Sequence, residues 1–330
     1  MGRLRHIDTL RGVAVLAVVA QHILEDTGFT PFVSLGRFGV LLFFLISGYV
    51  IPFSFSGERP LRRFAIARAF RLYPAYWASL AAAVIVEGAG TPETVMVNTT
   101  MLQRLFAVPD VVGVYWSLFY ELCFYGLCCI LFASGALKRS NVLALLAVLS
   151  LSLHIESCLA NILLPIWNEG FEFIGFMLAG SVFRRAYLDR DPVALRWALP
   201  MVALLSVTGL VGAGIIHRVP MNLDPFMSVP AMGLAALGAV LVFHIAHKTR
   251  LDWAPMRYLG KISYSVYLFH AVALMIVAPL QLGPLSFAGV IVAGTLAISI
   301  MSYRLIELPA NMLGHWLTKS RLAIAEPLAI

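Results

Sequence analysis

Residues 38–55 read Phe38-Gly39-Val40-Leu41-Leu42-Phe43-Phe44-Leu45-Ile46-Ser47-Gly48-Tyr49-Val50-Ile51-Pro52-Phe53-Ser54-Phe55, with no charged side chain. Wound as a helix at 1.5 Å per residue, this stretch reaches about 27 Å, close to the ~30 Å hydrocarbon core of a bilayer. It has many neighbours of the same kind. Apolar segments of span length run at roughly 10–26, 36–55, 70–88, 114–134, 142–164, 169–186, 197–215, 227–246, 262–281 and 285–304, about ten in all. The sequence therefore predicts an all-α, polytopic transmembrane helical bundle with no soluble domain. The longest connection, near 89–113, is only a loop.

Composition agrees. The 330 residues are 60% hydrophobic and 12% charged, with a mean hydropathy of +0.87. Ordinary soluble domains carry about 25% charged residues, and no soluble core of this length could bury so much apolar side chain. The net charge of +7 does not point to nucleic acid, because the basic residues sit in clusters between apolar runs, as in the cytoplasmic loops of membrane proteins. With the N-terminus inside and ten spans, all of the 24 Lys and Arg residues except Arg37, Arg104 and Arg218 fall on the inner side. That asymmetry predicts both termini in the cytoplasm and residence in the inner (plasma) membrane. The chain is expected to be one membrane unit, 1–330, with a first span retained rather than cleaved and 305–330 as a cytoplasmic tail. Cys123, Cys128, Cys129 and Cys158 have no metal-ligand spacing and read as small core residues. No metal site is expected.

Charged groups inside apolar spans are costly, at least about 2.5–3.5 kcal/mol each at mid-bilayer, and so mark function. Arg11 and His22 are eleven residues apart; at 100° per residue they leave the first helix on one face, about 16.5 Å apart along its axis. Asp8 shares that face. Arg68 and Arg71 share a face of the third segment and are followed by Tyr73-Pro74 and Tyr76-Trp77. Ser117, Glu121 and Tyr125, four apart, make a polar face on the fourth. Weaker candidates are His270, His154 and Glu156 within spans, and Glu169 and Glu172 at the outer start of the sixth. Each also has an ordinary reading: the arginines as interface anchors, the histidines as hydrogen-bonded helix contacts.

Taken together, these clusters resemble the acyltransferase 3 family of bacterial integral-membrane O-acyltransferases. Ile7-Asp8-Thr9-Leu10-Arg11, followed by His22, is similar to the family's arginine, ten residues, histidine signature. Gly39 to Tyr49, Arg68-Ala69-Phe70-Arg71-Leu72-Tyr73-Pro74 and Trp116 to Tyr125 resemble its next three motifs. Ile262-Ser263-Tyr264-Ser265-Val266-Tyr267-Leu268-Phe269-His270 and Glu307-Leu308-Pro309 resemble its late-chain ones. Leu41 departs from the pattern, since many relatives carry an acidic residue there, and the expectation is a stand-alone membrane unit without the hydrolase-like domain that some relatives append.

The resemblance implies transfer of an acyl group, usually acetyl, from cytoplasmic acyl-coenzyme A to a hydroxyl of a cell-envelope or exported carbohydrate. Acyl-coenzyme A is then a donor substrate, and no permanently bound cofactor is expected. Arg11, Arg68, Arg71 and Tyr73 are the candidate donor-binding residues. Asp8, Ser117, Tyr125, Glu172 and His270 are supporting or acceptor candidates. His22 is the candidate general base, since an alcohol needs its proton removed during attack. Glu121 is expected to orient it, because five residues into the fourth span puts it at a depth His22 can meet. The alternative is a polytopic transporter of a lipid-linked sugar or small anion, although no internal repeat of the kind transporters often show is visible.

Overall fold

The computed structural model describes residues 4–29, 33–88, 90–159, 167–216 and 229–318, and among them every regular element is helical. In order these are α1 Arg5–Asp26, α2 Leu35–Val50, α3 Pro60–Glu87, the short α4 Pro92–Asn98, α5 Trp116–Ala133, α6 Ser140–Leu159, α7 Trp167–Tyr187, α8 Pro192–Ile216, α9 Val229–Thr249, the short α10 Ala254–Lys261, α11 Ser263–Val277, α12 Pro284–Ser302 and α13 Leu308–Leu317. The end of the fifth apolar segment, His217, Arg218 and 319–330 lie outside the described residues.

The apolar segments fall on α1–α3, α5–α9, α11 and α12. Among the described residues, nine helical stretches are long and apolar enough to cross a membrane, and α7 is not one of them. It carries Glu169, Glu172, Arg184 and Arg185, and it can hold them because it is an interior helix packed against α2, α6 and α8. Its Phe173, Phe176, Met177 and Phe183 have no exposed surface. A second departure is at the last span, which does not stop at 304. Tyr303–Glu307 wind as one π-helical turn and α13 carries the helix on to Leu317, so the segment expected as a tail begins as helix.

Close backbone approach holds the central helices together. A Cβ on Gly48 of α2 would run into the Met177 carbonyl of α7, and one on Gly180 of α7 would meet the Leu45 carbonyl of α2. The two helices therefore touch main chain to main chain, and Ser181 Oγ donates across the seam to Gly48 O at 3.0 Å.

The connection from α4 to α5 folds back along α3. The Tyr73 hydroxyl donates to Thr100 O (3.0 Å), Tyr76 to Asn98 O (2.7 Å) and Trp77 Nε1 to Thr99 O (2.9 Å). Asn98 pins the turn, donating to Thr94 O and Pro109 O and accepting from Val111 N. Since α3 continues from Tyr76 to Glu87, a rise of about 16 Å, α5 starts deep inside the bundle. Tyr115, just before it, has no exposed surface and is hydrogen-bonded to Ser79 of α3 at 2.8 Å.

All described Lys and Arg residues except Arg37 and Arg104 belong to one end of the bundle, where α1, α3, α6, α8 and α11 begin and α2, α5, α7, α9 and α12 end. Both exceptions are neutralised locally. Arg37 pairs with Glu172 and with Glu169 (3.2 Å), and Arg104 pairs with Asp110 (3.2 Å).

Candidate active site

At the basic end a cavity of about 480 Å³ opens between α1, α3, α7, α10 and the last helices; its polar lining includes Asp8, Arg11, Ser54, Arg68, Arg71, Arg184 and Lys261. It adjoins an inner chamber of about 90 Å³. The two share Arg11, Arg68 and Arg71, and the chamber's polar wall also includes Ser47, Ser117, Glu121, Tyr125, Tyr264 and Tyr267. A wide basic vestibule thus narrows into a small polar chamber.

The three arginines are held in different ways. Arg11 Nη1 is 4.0 Å from Asp8 on the preceding turn. Arg71 is ion-paired with Glu307, which is 1% exposed and also accepts from Ser265 Oγ at 2.7 Å. The π-helical turn is what brings Glu307 there, because the extra residue rotates its side chain inward; such turns are often found at functional sites. Arg68 donates to Ser54 Oγ at 3.2 Å, and its guanidinium sits 5.5 Å from the ring centres of both Phe64 and Tyr125. Among the described residues it has no carboxylate partner. Glu121 accepts from the Tyr125 hydroxyl at 2.7 Å. Arg68, left without a carboxylate beside Arg11 and Arg71, with Lys261 on the same vestibule wall, gives a basic surface suited to an anion.

The structure brings together Asp8, Arg11, Arg68, Arg71, Ser117, Glu121 and Tyr125 from the sequence candidates, but it parts others. No hydrogen bond or ion pair joins Glu121 to His22. A depth for Glu121 counted from the start of α5 assumes that this start lies at the membrane surface. The folded-back connection lowers it, and Glu121 ends among the arginines. Tyr73 lines neither cavity; its hydroxyl is engaged by Thr100. Glu172, an acceptor candidate, is 3% exposed and ion-paired with Arg37, with His154 Nε2 4.0 Å away.

His22 instead faces His270, their ring centres 5.0 Å apart and tilted by 58°. Each ring is anchored by Nδ1 on the carbonyl one turn back, at 2.9 Å to Val18 O and 3.2 Å to Val266 O. Tyr267 links this pair to the chamber. Its ring centre is 5.9 Å from that of His270, while its hydroxyl meets Ser117 Oγ at 2.6 Å and donates to Val114 O at 2.8 Å. His22 lies only four residues before the end of α1 at Asp26, about 6 Å from the end opposite the vestibule. Just beyond it, a third cavity of about 320 Å³ is lined by Asp26, Thr27, Gln281, Pro284 and Phe287, among others.

Sequence reasoning passed over Glu307, Tyr264 and Tyr267 as site residues. The signal for Glu307 was an unpaired carboxylate directly after an apolar run; ending the span at 304 placed it in a tail. Among the described residues no group of three or more His, Cys, Asp or Glu is placed to hold a metal ion.

Comparison with known proteins bears on the chemistry. The chain is 27% identical to the exopolysaccharide production protein ExoZ of Rhizobium meliloti, over 87% of its own length and 93% of that protein's. It is 24% identical to the peptidoglycan O-acetyltransferase OatA of Listeria monocytogenes, over 93% of this chain and 56% of that one. No solved structure matches. Residues 4–304 match the family model described as an acyltransferase domain, a range that takes in both cavities' arginines and the histidine pair, and the chain is a multi-pass membrane member of that acyltransferase family.

Proposed function

We propose that the protein moves an acyl group, acetyl first among them, from acyl-coenzyme A to a hydroxyl of an envelope or exported carbohydrate. The observation that carries this reading is the vestibule that narrows into a chamber, with Arg11, Arg68 and Arg71 shared between the two. Coenzyme A has the matching shape: a bulky polyanionic nucleotide and a thin arm ending in the thioester. Guanidinium groups suit phosphates because they offer charge and paired donors together. The clustering of positive charge supports a cytoplasmic basic end, with the donor arriving from the cytoplasm. The acceptor approaches from the opposite end, where the cavity at Asp26 and Gln281 opens one turn beyond His22. A carboxylate, an amide and the Phe287 ring form a lining suited to a polyol.

Chemically, the Nδ1–H of His22 is committed to Val18 O, so Nε2 carries the lone pair and is the base. It takes the proton of the acceptor hydroxyl as the oxygen attacks the thioester carbonyl. The C–S bond then breaks, and the proton goes to the departing thiolate. Transfer of labelled acetyl from acetyl-coenzyme A to endogenous polysaccharide, in membranes with and without the protein, tests the reading. His22→Ala should lower transfer at least about 100-fold, the lower range for loss of a general base. Transfer that does not depend on the protein, together with altered glycan export, would favour a transporter instead.

A further inference from the structure

We propose that His270 is the proton partner of His22, taking the part the sequence assigned to Glu121. The inference rests on the reading of His22 as base and extends it to a second residue.

His270 has no exposed surface. Its Nδ1 is held on Val266 O, and since a carbonyl can only accept, the proton is on Nδ1 and the lone pair on Nε2. Among the described residues that Nε2 has no hydrogen-bond partner. The hydroxyl of Tyr267, whose ring centre is 5.9 Å from that of His270, gives its single proton to Val114 O. The result is a fully buried acceptor, unpaired, beside the ring that is to become charged. The two imidazoles are fixed in the same tautomer by the same device, a bond to the carbonyl four residues earlier, so each presents a basic Nε2. The resting pair has no proton between them to share.

The reaction supplies one. When the acceptor O–H gives its proton to His22 Nε2, an imidazolium forms inside the bundle, and Glu121 is elsewhere, bonded to Tyr125. A neutral His270 Nε2 next to it accepts a hydrogen bond from the new N–H. That contact spreads the charge and holds the proton until the departing coenzyme A thiolate takes it. One O–H and one C–S bond break, one C–O and one S–H bond form, and both histidines end as they began. His270 touches the moving proton in the charged intermediate alone, so its contribution should appear in turnover and not in donor binding.

The test uses the full-length protein in native membranes, with labelled acetyl-coenzyme A as donor and endogenous polysaccharide as acceptor. Rates are normalised to the amount of folded protein. His270→Phe, which keeps a ring but removes the lone pair, should lower maximal transfer at least about 10-fold and leave the KM for acetyl-coenzyme A within about twofold. His270→Gln places an accepting oxygen in the same space and should recover a substantial part of the loss. His22→Ala combined with His270→Phe should be no slower than His22→Ala alone. If His270→Phe turns over like the wild type, or if the Gln and Phe variants are equally impaired, His270 is a packing residue and the proposal fails. If His270→Phe does not accumulate, His270→Leu against His270→Gln makes the same comparison. Should His22→Ala itself remain active, the underlying assignment of the base falls, an outcome separate from any behaviour of His270.

Discussion

Arg68 and Arg71 are one turn apart on α3 and line the same two cavities, yet they should fail in different ways when removed. Arg71 is tied to Glu307, and Arg71→Ala would strand that carboxylate in the interior. Breaking a buried pair by deleting one partner costs about 3–5 kcal/mol, so the expected result is a lowered thermal unfolding temperature in detergent. Arg71→Met with Glu307→Gln should recover much of it, since no lone charge then remains. Among the described residues Arg68 has no carboxylate to strand. Arg68→Ala should leave stability nearly unchanged and cost about 1.5–3 kcal/mol of one charge-assisted contact, a rise of about 10–100-fold in the KM for acyl-coenzyme A. Unfolding by Arg68→Ala, or an unchanged KM, would remove it from the donor site. Arg11 and His22 are on one helix, so their common face follows from 100° per residue alone. The Arg68–Arg71 face was legible for the same reason. The partner of His22 was not, because it lies across helices whose relative depth depends on where α5 begins, and no periodicity reports that a loop folds back along Tyr73, Tyr76 and Trp77.

The helices show a similar division between pattern and contact. Gly48 stood out in the sequence as part of a motif, but its purpose is visible only against α7, where any Cβ would meet the Met177 carbonyl. Gly48→Ala should therefore push α2 off α7. A strain of about 1–3 kcal/mol is usual for overpacking, read as reduced folded yield and a lower unfolding temperature; an unchanged yield would show that the seam can yield. α7 itself was found as a segment by its apolar residues, while its interior position is what reconciles those residues with four charges. Outside the membrane-spanning segments, Asp191 supports the α7–α8 connection. It accepts from Ser140 Oγ at 2.6 Å and from Val193 N at 2.8 Å at the start of α8. The Ser140 hydrogen bond, then the backbone donors and Arg185, hold its carboxyl below the usual aspartate value. A lowered folded value means the ionised form stabilises the fold, and that contribution is present above the ordinary aspartate range and lost as pH falls through the folded value. Asp191→Ala should cost about 1 kcal/mol, as for other lost helix caps. Its effect should vanish in strong acid; an equal cost at every pH would exclude the carboxylate's charge.

Over the whole molecule, the two ends differ in charge and in what they open onto. The vestibule with its cluster of arginines is at one end, and the cavity at Asp26 and Gln281 is at the other, with the histidine pair nearer the second. The charge asymmetry was legible from the sequence because it needs only span positions and a count of Lys and Arg. The arrangement of side chains between the ends was not, since Glu121, Tyr264, Tyr267 and His270 come from α5 and α11 and are brought near one another only when the bundle closes. If the basic end faces the cytoplasm, reporter fusions after residues 65 and 138 should read as cytoplasmic and one after 100 as external. The functional counterpart is sharper, because it tests orientation and chemistry in one experiment. Acetyl-coenzyme A is charged and does not cross a bilayer, so it can reach the vestibule only from the side on which the vestibule opens. Inside-out membrane vesicles should therefore transfer label from added acetyl-coenzyme A at once, whereas right-side-out vesicles should do so only after permeabilisation. Raising the salt concentration should weaken transfer at low donor concentration, since screening shortens the reach of the arginines to about 8 Å at 0.15 M ionic strength. At saturating donor it should have little effect. Activity confined to sealed right-side-out vesicles would place the basic end outside, and the donor route through Arg11, Arg68 and Arg71 would then have to be abandoned together with the orientation.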